Sequence, residues 1–252
     1  MPPELGDGEL LRYARQILLP EVDVAGQQRL AAARVLIIGM GGLGCPAALY
    51  LAGAGIGTLG LCDGDTVSRS NLPRQILYNE DDLGRAKAEA AAHHLQAHNS
   101  SLQYRVHSQP AAAELLTALL PEYDLVLDCS DNFATRHAIN RACWLAGKPL
   151  VSAAAIRWSG QLAVFDFRVS GPCYACLYPD LESEDEDRCA TLGVIGPLTG
   201  MLGSLQALEA IRLLLGQVSP VQGKLLLLDA QTLEFRTIRL VKDPQCPTCS
   251  RP

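Results

Sequence analysis

The stretch Arg34-Val-Leu-Ile-Ile-Gly-Met-Gly-Gly-Leu-Gly44 decides the fold. Its first five residues form an apolar, largely β-branched run that ends at a glycine, which predicts a short buried strand. Gly39, Gly41 and Gly44 then fit the pattern G-x-G-x-x-G. Gly42 is an additional glycine, and the residues after it can form a helix. Because a turn without Cβ atoms lets a phosphate approach the free N–H groups of a helix start, the stretch predicts a nucleotide-binding turn. The alternative is a tight turn with purely structural glycines.

The run that follows this helix completes a nucleotide-binding unit. Thr58-Leu-Gly-Leu-Cys62 predicts a second buried strand, and Asp63 follows it, roughly 20 residues after the glycines. A carboxylate at this point accepts hydrogen bonds from ribose hydroxyls in dinucleotide-binding folds. The ordered set of strand, glycines, helix, strand and acidic residue is more specific than the glycine pattern alone. We therefore predict that the chain binds a nucleotide.

The pattern of elements predicts the fold class. Strands and helices alternate up to about residue 152, which is typical of a doubly wound, Rossmann-like α/β core with a mostly parallel sheet. The pattern then changes, because residues 161–167 alternate like an antiparallel strand. A long helix at 197–215 and a terminal hairpin within 224–240 follow. We expect a mostly parallel sheet with an antiparallel C-terminal extension.

Two predicted helices carry basic residues near this core. Leu10–Leu19 has the pattern of an amphipathic helix, and Arg15 lies near one face of it. Leu83–Ala97 is rich in alanine, with Asp82 suited to its N-cap. Lys87 would then lie one turn inside this helix, able to point back toward the glycines. The alternative interpretation of each basic residue is a solvated side chain.

A polar segment between the second strand and the alanine-rich helix is a candidate phosphate site. Residues 64–80 are irregular and contain Ser70-Asn-Leu-Pro-Arg-Gln75. Asn71, Arg74 and Gln75 are donors of the kind that hold phosphate oxygens. Polar residues of this kind are equally typical of an ordinary loop.

A third strand ends in a further polar group. Asp124-Leu-Val-Leu-Asp128 predicts a strand, Cys129-Ser-Asp-Asn132 follows it, and a helix begins near Phe133. Ligands of parallel sheets collect at the carboxyl ends of strands, so Asp131 is well placed to hold Mg²⁺ beside a phosphate chain. The alternative is that Asp131 merely caps the helix.

Four cysteines predict a metal site. Cys173-x-x-Cys176 and Cys246-x-x-Cys249 can each supply two thiolates from a tight turn, and tetrahedral Zn²⁺ takes four. Four cysteines leave no open position for chemistry, so we expect the zinc to be structural. One pair could instead be a redox pair, but two pairs in a cytosolic chain favour a metal.

The other cysteines have separate interpretations. Cys189 follows an acidic run, and an exposed loop thiol of lowered pKa can act as a nucleophile; the alternative is an idle cysteine. The remaining four lie in apolar helices or at strand ends, where we expect core residues. They are Cys45, Cys62, Cys129 and Cys143.

Length and composition narrow the class of protein. The 252 residues are 48% hydrophobic, which is enough for a sizeable core. We see no apolar run of membrane-spanning length and no signal-peptide pattern, so we expect no membrane association and a cytoplasmic location. A formal charge of −6 argues against extended nucleic-acid binding. Nine cysteines without a secretion signal favour reduced thiols and metal ligands over disulfides.

These motifs together resemble the MoeB/ThiF family, the bacterial relatives of the ubiquitin-activating enzymes. The resemblance runs from about Leu10 to Cys249 and rests on several independent motifs in order. The matching features are Tyr13 to Leu18, Gly39 to Gly44, Asp63, Ser70 to Gln75, Lys87, Asp128 to Asn132, Cys189 to Pro197, Gly203 to Glu209 and the two cysteine pairs.

The resemblance implies an activity. Members of this family activate the C-terminal Gly-Gly carboxylate of a small ubiquitin-like sulfur-carrier protein. The carboxylate attacks the α-phosphate of Mg·ATP, which gives an acyl adenylate and pyrophosphate. Because the sequence ends just after Cys249, we expect a separate sulfur donor such as a cysteine desulfurase or a rhodanese.

The resemblance also implies residue roles. Gly42 lies against the nucleotide, Asp63 binds ribose and Asp131 holds Mg²⁺. Arg15 is supplied by the neighbouring subunit of a homodimer. Cys189 matches a position that links covalently to the carrier in some members and is dispensable for adenylation in others. The catalytic set is Arg15, Arg74, Lys87 and Asp131. The nucleotide-binding set is Gly39, Gly41, Gly42, Gly44, Asp63, Ser70, Asn71, Arg74, Gln75, Lys87, Asp131 and Asn132.

The choice of carrier has less support. The molybdopterin and thiamine branches share almost all of these motifs, and Ser152-Ala-Ala-Ala-Ile-Arg157 is more similar to the molybdopterin branch. We therefore expect the small subunit of molybdopterin synthase as substrate, in molybdenum cofactor biosynthesis, with the thiamine-pathway carrier as the alternative. More distant alternatives are a tRNA-modifying adenylating enzyme, an NAD-dependent oxidoreductase and a catalytically inactive scaffold.

We expect one adenylating domain over residues 1–252. Its parts are N-terminal helices at 1–33, a nucleotide-binding core at 34–152 and a carrier-binding, zinc-stapled part at 153–252.

Overall fold

The computed structural model describes residues 4–179 and 192–250, and within these ranges eight strands form one sheet. The strands are β1 Arg34–Ile38, β2 Thr58–Cys62, β3 Gln103–His107, β4 Leu125–Asp128, β5 Leu150–Ile156, β6 Ser159–Phe165, β7 Lys224–Asp229 and β8 Glu234–Arg239. Their spatial order is β3-β2-β1-β4-β5-β6-β7-β8. Strands β1 to β5 pair in parallel, and β6 to β8 continue the sheet in antiparallel fashion. The predicted fold class is confirmed.

Helices connect and cover the strands. In chain order they are α1 Asp7–Arg12, α2 Ala14–Ile17, α3 Asp23–Ala32, α4 Gly44–Ala54, α5 Lys87–His98, α6 Ala113–Leu119, α7 Phe133–Ala146, α8 Tyr174–Leu177 and α9 Gly196–Leu214. Short 3₁₀ turns of the described residues lie at Arg69–Asn71, Glu80–Asp82 and Leu120–Glu122. In the described part of the chain, no helix is both long enough and apolar enough to pass through a membrane.

The central strand β1 is buried on both faces. Val35 and Ile37 pack into an apolar cluster with helices α4, α5 and α9, whereas Leu36 and Ile38 pack on the other face with α6 and α7. Successive side chains of a strand point to opposite faces, so a strand covered on both sides is a continuous apolar run. This explains why Arg34–Ile38 could be placed from sequence with its observed bounds.

Helix α9 lies directly on the start of helix α4. A Cβ atom at Gly203 would lie 2.3 Å from the Leu43 carbonyl oxygen and 2.6 Å from Pro46 Cγ. The glycine is therefore required for this close approach, which brings the first turn of α9 beside the glycine-rich turn.

The predicted N-terminal helix Leu10–Leu19 is interrupted. Helix α1 ends at Arg12 and α2 begins at Ala14, with Tyr13 leaving helical geometry between them. The Tyr13 ring is 3% exposed and lies against Gly55, where a Cβ atom would come within 2.6 Å of Cζ. Its hydroxyl accepts a hydrogen bond from Asn99 Nδ2 at 3.0 Å. Tertiary anchoring of one aromatic side chain thus divides the predicted helix.

The predicted N-cap at Asp82 is wrong. Helix α5 begins at Lys87, because the chain before it runs beside residues 65–67: Lys87 N donates to Asp65 O and Val67 N donates to Arg85 O, each at 2.9 Å. The buried Asp82 carboxylate accepts instead from Arg85 at 2.9 Å and contacts His94 Nε2 at 2.6 Å. Lys87 is consequently the first residue of the helix and not one turn inside it.

Strand β8 forms an exposed edge of the sheet. All six residues of β8 are exposed, and β8 pairs only with β7 among the described strands. Phe235 and Ile238 are each about half exposed there.

Candidate functional site

The glycine-rich turn is built by close backbone contacts. Gly39 has a φ of +92°, and a Cβ atom on it would lie 2.6 Å from the Cys129 carbonyl oxygen. A Cβ atom at Gly44 would lie 1.9 Å from the Gly39 carbonyl oxygen. At Gly42 it would lie 3.0 Å from Thr199 Oγ1, in the first turn of α9. The fold itself thus requires glycine at positions 39 and 44, and Gly42 is in tight contact with α9, in addition to any role toward a ligand.

Asp63 at the end of β2 is tied to this turn. Its Oδ2 accepts from Met40 N at 2.7 Å, and its Oδ1 accepts from Asp65 N at 2.8 Å. Burial raises the pKa of the Asp63 carboxyl, while the Asp65 N–H and the charge of Lys87 act to lower it. Each carboxylate oxygen has a further lone pair, so both can also accept from a ribose hydroxyl.

The segment predicted to hold phosphates forms a compact turn. Arg74 Nη1 donates to the Ser70 carbonyl oxygen at 3.0 Å, and Asn71 Oδ1 accepts from Ser68 N at 3.2 Å. Gln75 is 2% exposed, and its Nε2 lies 3.5 Å from where a Gly41 Cβ atom would be. Within the described residues no donor reaches Gln75 Oε1. A buried amide oxygen without a partner is expected to take a donor from water or from a ligand.

Lys87 joins the same side of the sheet. Its side chain is only 8% exposed, and Nζ donates to Asp65 Oδ2 at 2.8 Å. The Tyr78 hydroxyl lies 2.8 Å from the Met40 carbonyl oxygen and 3.1 Å from that of Lys87, so it bridges the glycine-rich turn and the start of α5. Lys87 is therefore held near the turn and is not a freely solvated lysine.

The loop after β4 carries the remaining predicted residues. Asp131 is exposed, and Asn132 is the N-cap of α7, accepting from Thr135 N at 2.8 Å. The helix cap is thus Asn132, so the alternative role predicted for Asp131 belongs to its neighbour. Behind this loop, Asp128 and Arg136 form a buried ion pair at 3.1 Å.

The topology brings these groups to one edge of the sheet. Strands β1, β2 and β4 are parallel neighbours, and the chain leaves their carboxyl ends at Gly39, Asp63 and the loop containing Asp131. Arg15 stands apart on α2, exposed and without an ion pair to another described residue. Cys189 lies outside the described residues.

Several residues near the site were not among the predicted site residues. Asp65 pairs with Lys87, Thr199 contacts the position of Gly42, and Arg136 pairs with Asp128. Asp65 follows the acidic end of β2 by two residues, which is a usable sequence signal. Thr199 is 157 positions from Gly42 in the chain, and only the packing of α9 on α4 brings the two together.

The two cysteine pairs meet as predicted. The four Sγ atoms of Cys173, Cys176, Cys246 and Cys249 lie within 4.8 Å of one another. The separations are 3.9 Å for Cys173–Cys176, 3.6 Å for Cys173–Cys246 and 3.4 Å for Cys176–Cys249. A tetrahedral zinc with four sulfurs at about 2.3 Å requires sulfur–sulfur distances of about 3.8 Å. The donor set therefore fits a tetrahedral thiophilic metal.

The other described cysteines are core residues. Cys45, Cys62, Cys129 and Cys143 are all buried and free, as predicted. Burial raises the pKa of Cys45 and of Cys62 to about 12, so both remain protonated at neutral pH.

Substitutions at two glycines are expected to distinguish an effect on stability from an effect on ligand binding. Gly44→Ala is expected to lower the free energy of unfolding by about 1–3 kcal/mol, because its Cβ atom collides with backbone. Gly41→Ala is the matched comparison, since its Cβ meets only Gln75 Nε2 at 3.5 Å, an ordinary contact. Gly41→Ala should keep its stability in urea unfolding yet lose stabilisation by Mg·ATP. Unchanged nucleotide stabilisation would show that no ligand approaches Gly41.

A doubly wound sheet with a glycine-rich first turn is typical of nucleotide-binding α/β proteins, and the four-cysteine cluster adds a candidate metal site. The model of the ThiF family matches residues 13–248, and the chain belongs to this family.

The relatives include one that matches this chain over nearly its whole length and one that is considerably longer. The molybdopterin-synthase adenylyltransferase of Escherichia coli K12 is 46% identical over 248 residues, which are 98% of this chain and 99% of the relative. The adenylyltransferase and sulfurtransferase MOCS3 of Anopheles gambiae is 46% identical over 249 residues. The match covers 98% of this chain but only 56% of that protein. A crystal structure of E. coli MccB with ATP shares the fold, with a TM-score of 0.81 at 24% identity, over 94% of this chain and 74% of that one.

Proposed function

We propose that this chain is an adenylyltransferase that activates the C-terminal glycine of a small ubiquitin-like sulfur carrier, the small subunit of molybdopterin synthase. The observation that carries the proposal is the similarity to the E. coli molybdopterin-synthase adenylyltransferase, which extends over nearly the whole of both chains. The whole chain acts as one unit in this proposal: residues 1–33 precede a nucleotide-binding core at 34–152, and 153–252 receive the carrier. The cytoplasm is its proposed location, in keeping with its free thiols.

The chemistry follows from the charges at the site. The carrier carboxylate forms a bond to the α-phosphorus of ATP, the bond from that phosphorus to the bridging oxygen breaks, and pyrophosphate leaves. No general base is needed, because a carboxylate is already ionised at neutral pH. Two anions must be brought together, and negative charge builds on the leaving group. Arg74 and Lys87 are the fixed cations that stabilise this charge.

The remaining residues of the site bind the nucleotide. Gly39 to Gly44 supply the turn against which the phosphates lie, and Asp63 accepts from the ribose. Ser70, Asn71 and Gln75 complete the phosphate side. Asp131 and Asn132 contribute from the loop after β4. Asp131 has the exposed carboxylate oxygens that suit Mg²⁺, which supplies positive charge to the phosphate chain when bound.

The metal of the cysteine cluster is zinc in this proposal, and its role is structural. Four sulfur ligands close the coordination shell, so the ion has no position for a substrate. Cys173 is the N-cap of helix α8 and Cys176 lies within that helix, whereas Cys246 and Cys249 lie near the C-terminus. The ion therefore holds these two parts of the chain together.

The active unit is a homodimer in this proposal. Arg15 is exposed and makes no ion pair with a described residue of its own chain, as expected of a cation that serves a neighbouring subunit. Sulfur comes from a separate donor such as a cysteine desulfurase or a rhodanese, because adenylation only activates the carboxylate.

ATP–pyrophosphate exchange with purified carriers tests the function. Exchange should depend on the molybdopterin-synthase small subunit, and exchange with the thiamine-pathway carrier alone would favour that branch instead. Thermal unfolding adds a second measurement, because a ligand that binds the folded state raises the melting temperature. Stabilisation by NADH but not by Mg·ATP would instead favour an NAD-dependent oxidoreductase.

Cys189→Ala is expected to keep carrier-dependent pyrophosphate exchange near the wild-type level. Cys189 matches a position linked to the carrier in some relatives, but attack of a carboxylate on a phosphate requires no thiol. A loss beyond about 100-fold, equivalent to roughly 2.7 kcal/mol, in a variant with the wild-type melting temperature would place Cys189 in the adenylation step.

A further inference from the structure

A buried ion pair lies behind the loop that carries Asp131. Asp128 at the end of β4 is 1% exposed, and Arg136 in α7 is 5% exposed. Arg136 Nη1 donates to Asp128 Oδ2 at 3.1 Å and to Ser152 Oγ at 3.2 Å. Neither residue has a place in the adenylation chemistry described above.

Both oxygens of the Asp128 carboxylate accept hydrogen bonds. Oδ1 accepts from Ser130 Oγ at 2.6 Å and from Ser130 N at 3.1 Å, and Oδ2 accepts from Ser152 Oγ at 2.7 Å. The pair therefore joins the end of β4, the loop after it, strand β5 and helix α7. Burying two charges is costly unless each is fully hydrogen-bonded, so a satisfied pair of this kind holds its surroundings in one arrangement.

The second donor group of Arg136 reaches the loop itself. Nη2 of Arg136 donates to the Ser130 carbonyl oxygen in a short contact. This carbonyl belongs to the same peptide group as the N–H of Asp131. Arg136 thus fixes the orientation of the peptide from which Asp131 extends, although it does not touch the Asp131 side chain.

Residues 128–130 pack directly against the glycine-rich turn. The position of a Gly39 Cβ atom is 2.6 Å from the Cys129 carbonyl oxygen and 3.1 Å from Ser130 N. From the other side, Gln206 Nε2 of α9 lies 2.8 Å from the Asp128 carbonyl oxygen and 3.2 Å from that of Val151. A shift of this segment would therefore move both the Asp131 loop and the turn beneath the phosphates.

We propose that Arg136 and Asp128 are positioning residues that set the Asp131 loop, and through it Mg²⁺, against the glycine-rich turn. This inference rests on the proposed role of Asp131 in nucleotide binding. Lysine keeps the charge of Arg136 but lacks its two-pronged donor group, so it cannot bond Asp128 and the Ser130 carbonyl oxygen in the same geometry.

The test measures the Mg²⁺ concentration that gives half of the ATP-dependent rise in melting temperature, with no carrier present. Arg136→Lys should raise this concentration by about tenfold or more, as is typical when a group that orients a metal ligand is changed. Ser152→Ala removes two hydrogen bonds from the same cluster, the one accepted from Arg136 and the one donated to Asp128, but keeps the ion pair. It should shift this Mg²⁺ concentration in the same direction, by less. If Arg136→Lys does not fold, the Mg²⁺ requirement of Ser152→Ala decides whether the proposal holds.

Arg34→Lys is the matched control. Arg34, the first residue of β1, pairs with Asp124, immediately before β4, at 3.1 Å, so this ion pair lies at the amino ends of the strands and away from the site. It should leave the Mg²⁺ requirement unchanged. A folded Arg136→Lys with the wild-type Mg²⁺ requirement, whatever its melting temperature, would make the pair purely structural and overturn the proposal.

The proposed function can fail separately from this inference. A wild type that binds Mg·ATP but exchanges pyrophosphate with no carrier contradicts the function, and the Arg136 comparison still decides the positioning role. A wild type that is not stabilised by Mg·ATP overturns both.

Discussion

Arg15→Ala and Asp131→Ala are each expected to lower carrier-dependent ATP–pyrophosphate exchange by about 100-fold or more, because each removes a group that stabilises the charged transition state. If Arg15 acts on the neighbouring subunit, the two defects belong to different chains of each site. In a mixed dimer, one of the two sites then carries both defects and the other carries neither.

Mixing the two inactive variants should consequently restore activity. With random pairing, half of the dimers are mixed and half of their sites are intact, so exchange should reach up to about a quarter of the wild-type rate. Arg12→Ala is the control: Arg12 is also exposed, three residues earlier, and its side chain donates to the His98 carbonyl oxygen of its own chain at 3.3 Å. Its activity should be near wild type.

Differently tagged chains establish whether subunits have exchanged. A mixture that contains both tags in one dimer yet remains inactive would mean that Arg15 acts within its own chain or not at all. Restored activity in that mixture supports both the dimer and the shared site.

Cys246→Ser is expected to remove the metal and to destabilise the fold together. One zinc per chain is expected in the wild type, by elemental analysis, and close to none in the variant. The free energy of unfolding should fall by an amount on the order of 5 kcal/mol, since the binding energy of a structural zinc is also folding energy. The loss of stability should affect helix α8 and the C-terminal residues that the cluster joins.

Cys143→Ser is the control for this result. Cys143 is fully buried in the core and lies outside the cluster, so its replacement costs packing energy but leaves the metal in place. A wild type that contains no zinc, or a metal-free Cys246→Ser of unchanged stability, would contradict the structural metal site.

The elements best predicted from sequence are those whose surroundings are uniform. Strands β1 and β2 have the predicted bounds, Arg34–Ile38 and Thr58–Cys62, because burial on both faces leaves a continuous apolar signal. The cysteine pairs were also predictable, because their spacing reflects the metal and not the fold around it.

The errors arise where distant residues decide local structure. The break at Tyr13 depends on Gly55 and Asn99, and the start of α5 depends on pairing of residues 84–87 with 65–67. No periodicity within a short window carries such information.

Individual residues of the candidate site could be placed on predicted elements, but their side-chain partners could not be predicted. Asp63 and Asp131 follow predicted strands and Lys87 belongs to a predicted helix, whereas the pairing of Arg136 with Asp128 requires a helix turn and a strand end to meet. The contact between Gly42 and Thr199 depends on how α9 crosses α4. Side-chain partners of this kind follow from tertiary packing and leave no pattern in the sequence.

The open edge at β8 has a consequence for how copies of the chain behave in concentrated solution. An unpaired strand offers N–H and C=O groups to any other strand, which is a common route to aggregation. Here the edge carries Glu234, Arg236 and Arg239, and Arg236 pairs with Glu234 at 2.5 Å. A second copy approaching edge to edge would have to strip water from these charges. The charges thus disfavour strand addition, despite the half-exposed Phe235 and Ile238 beside them.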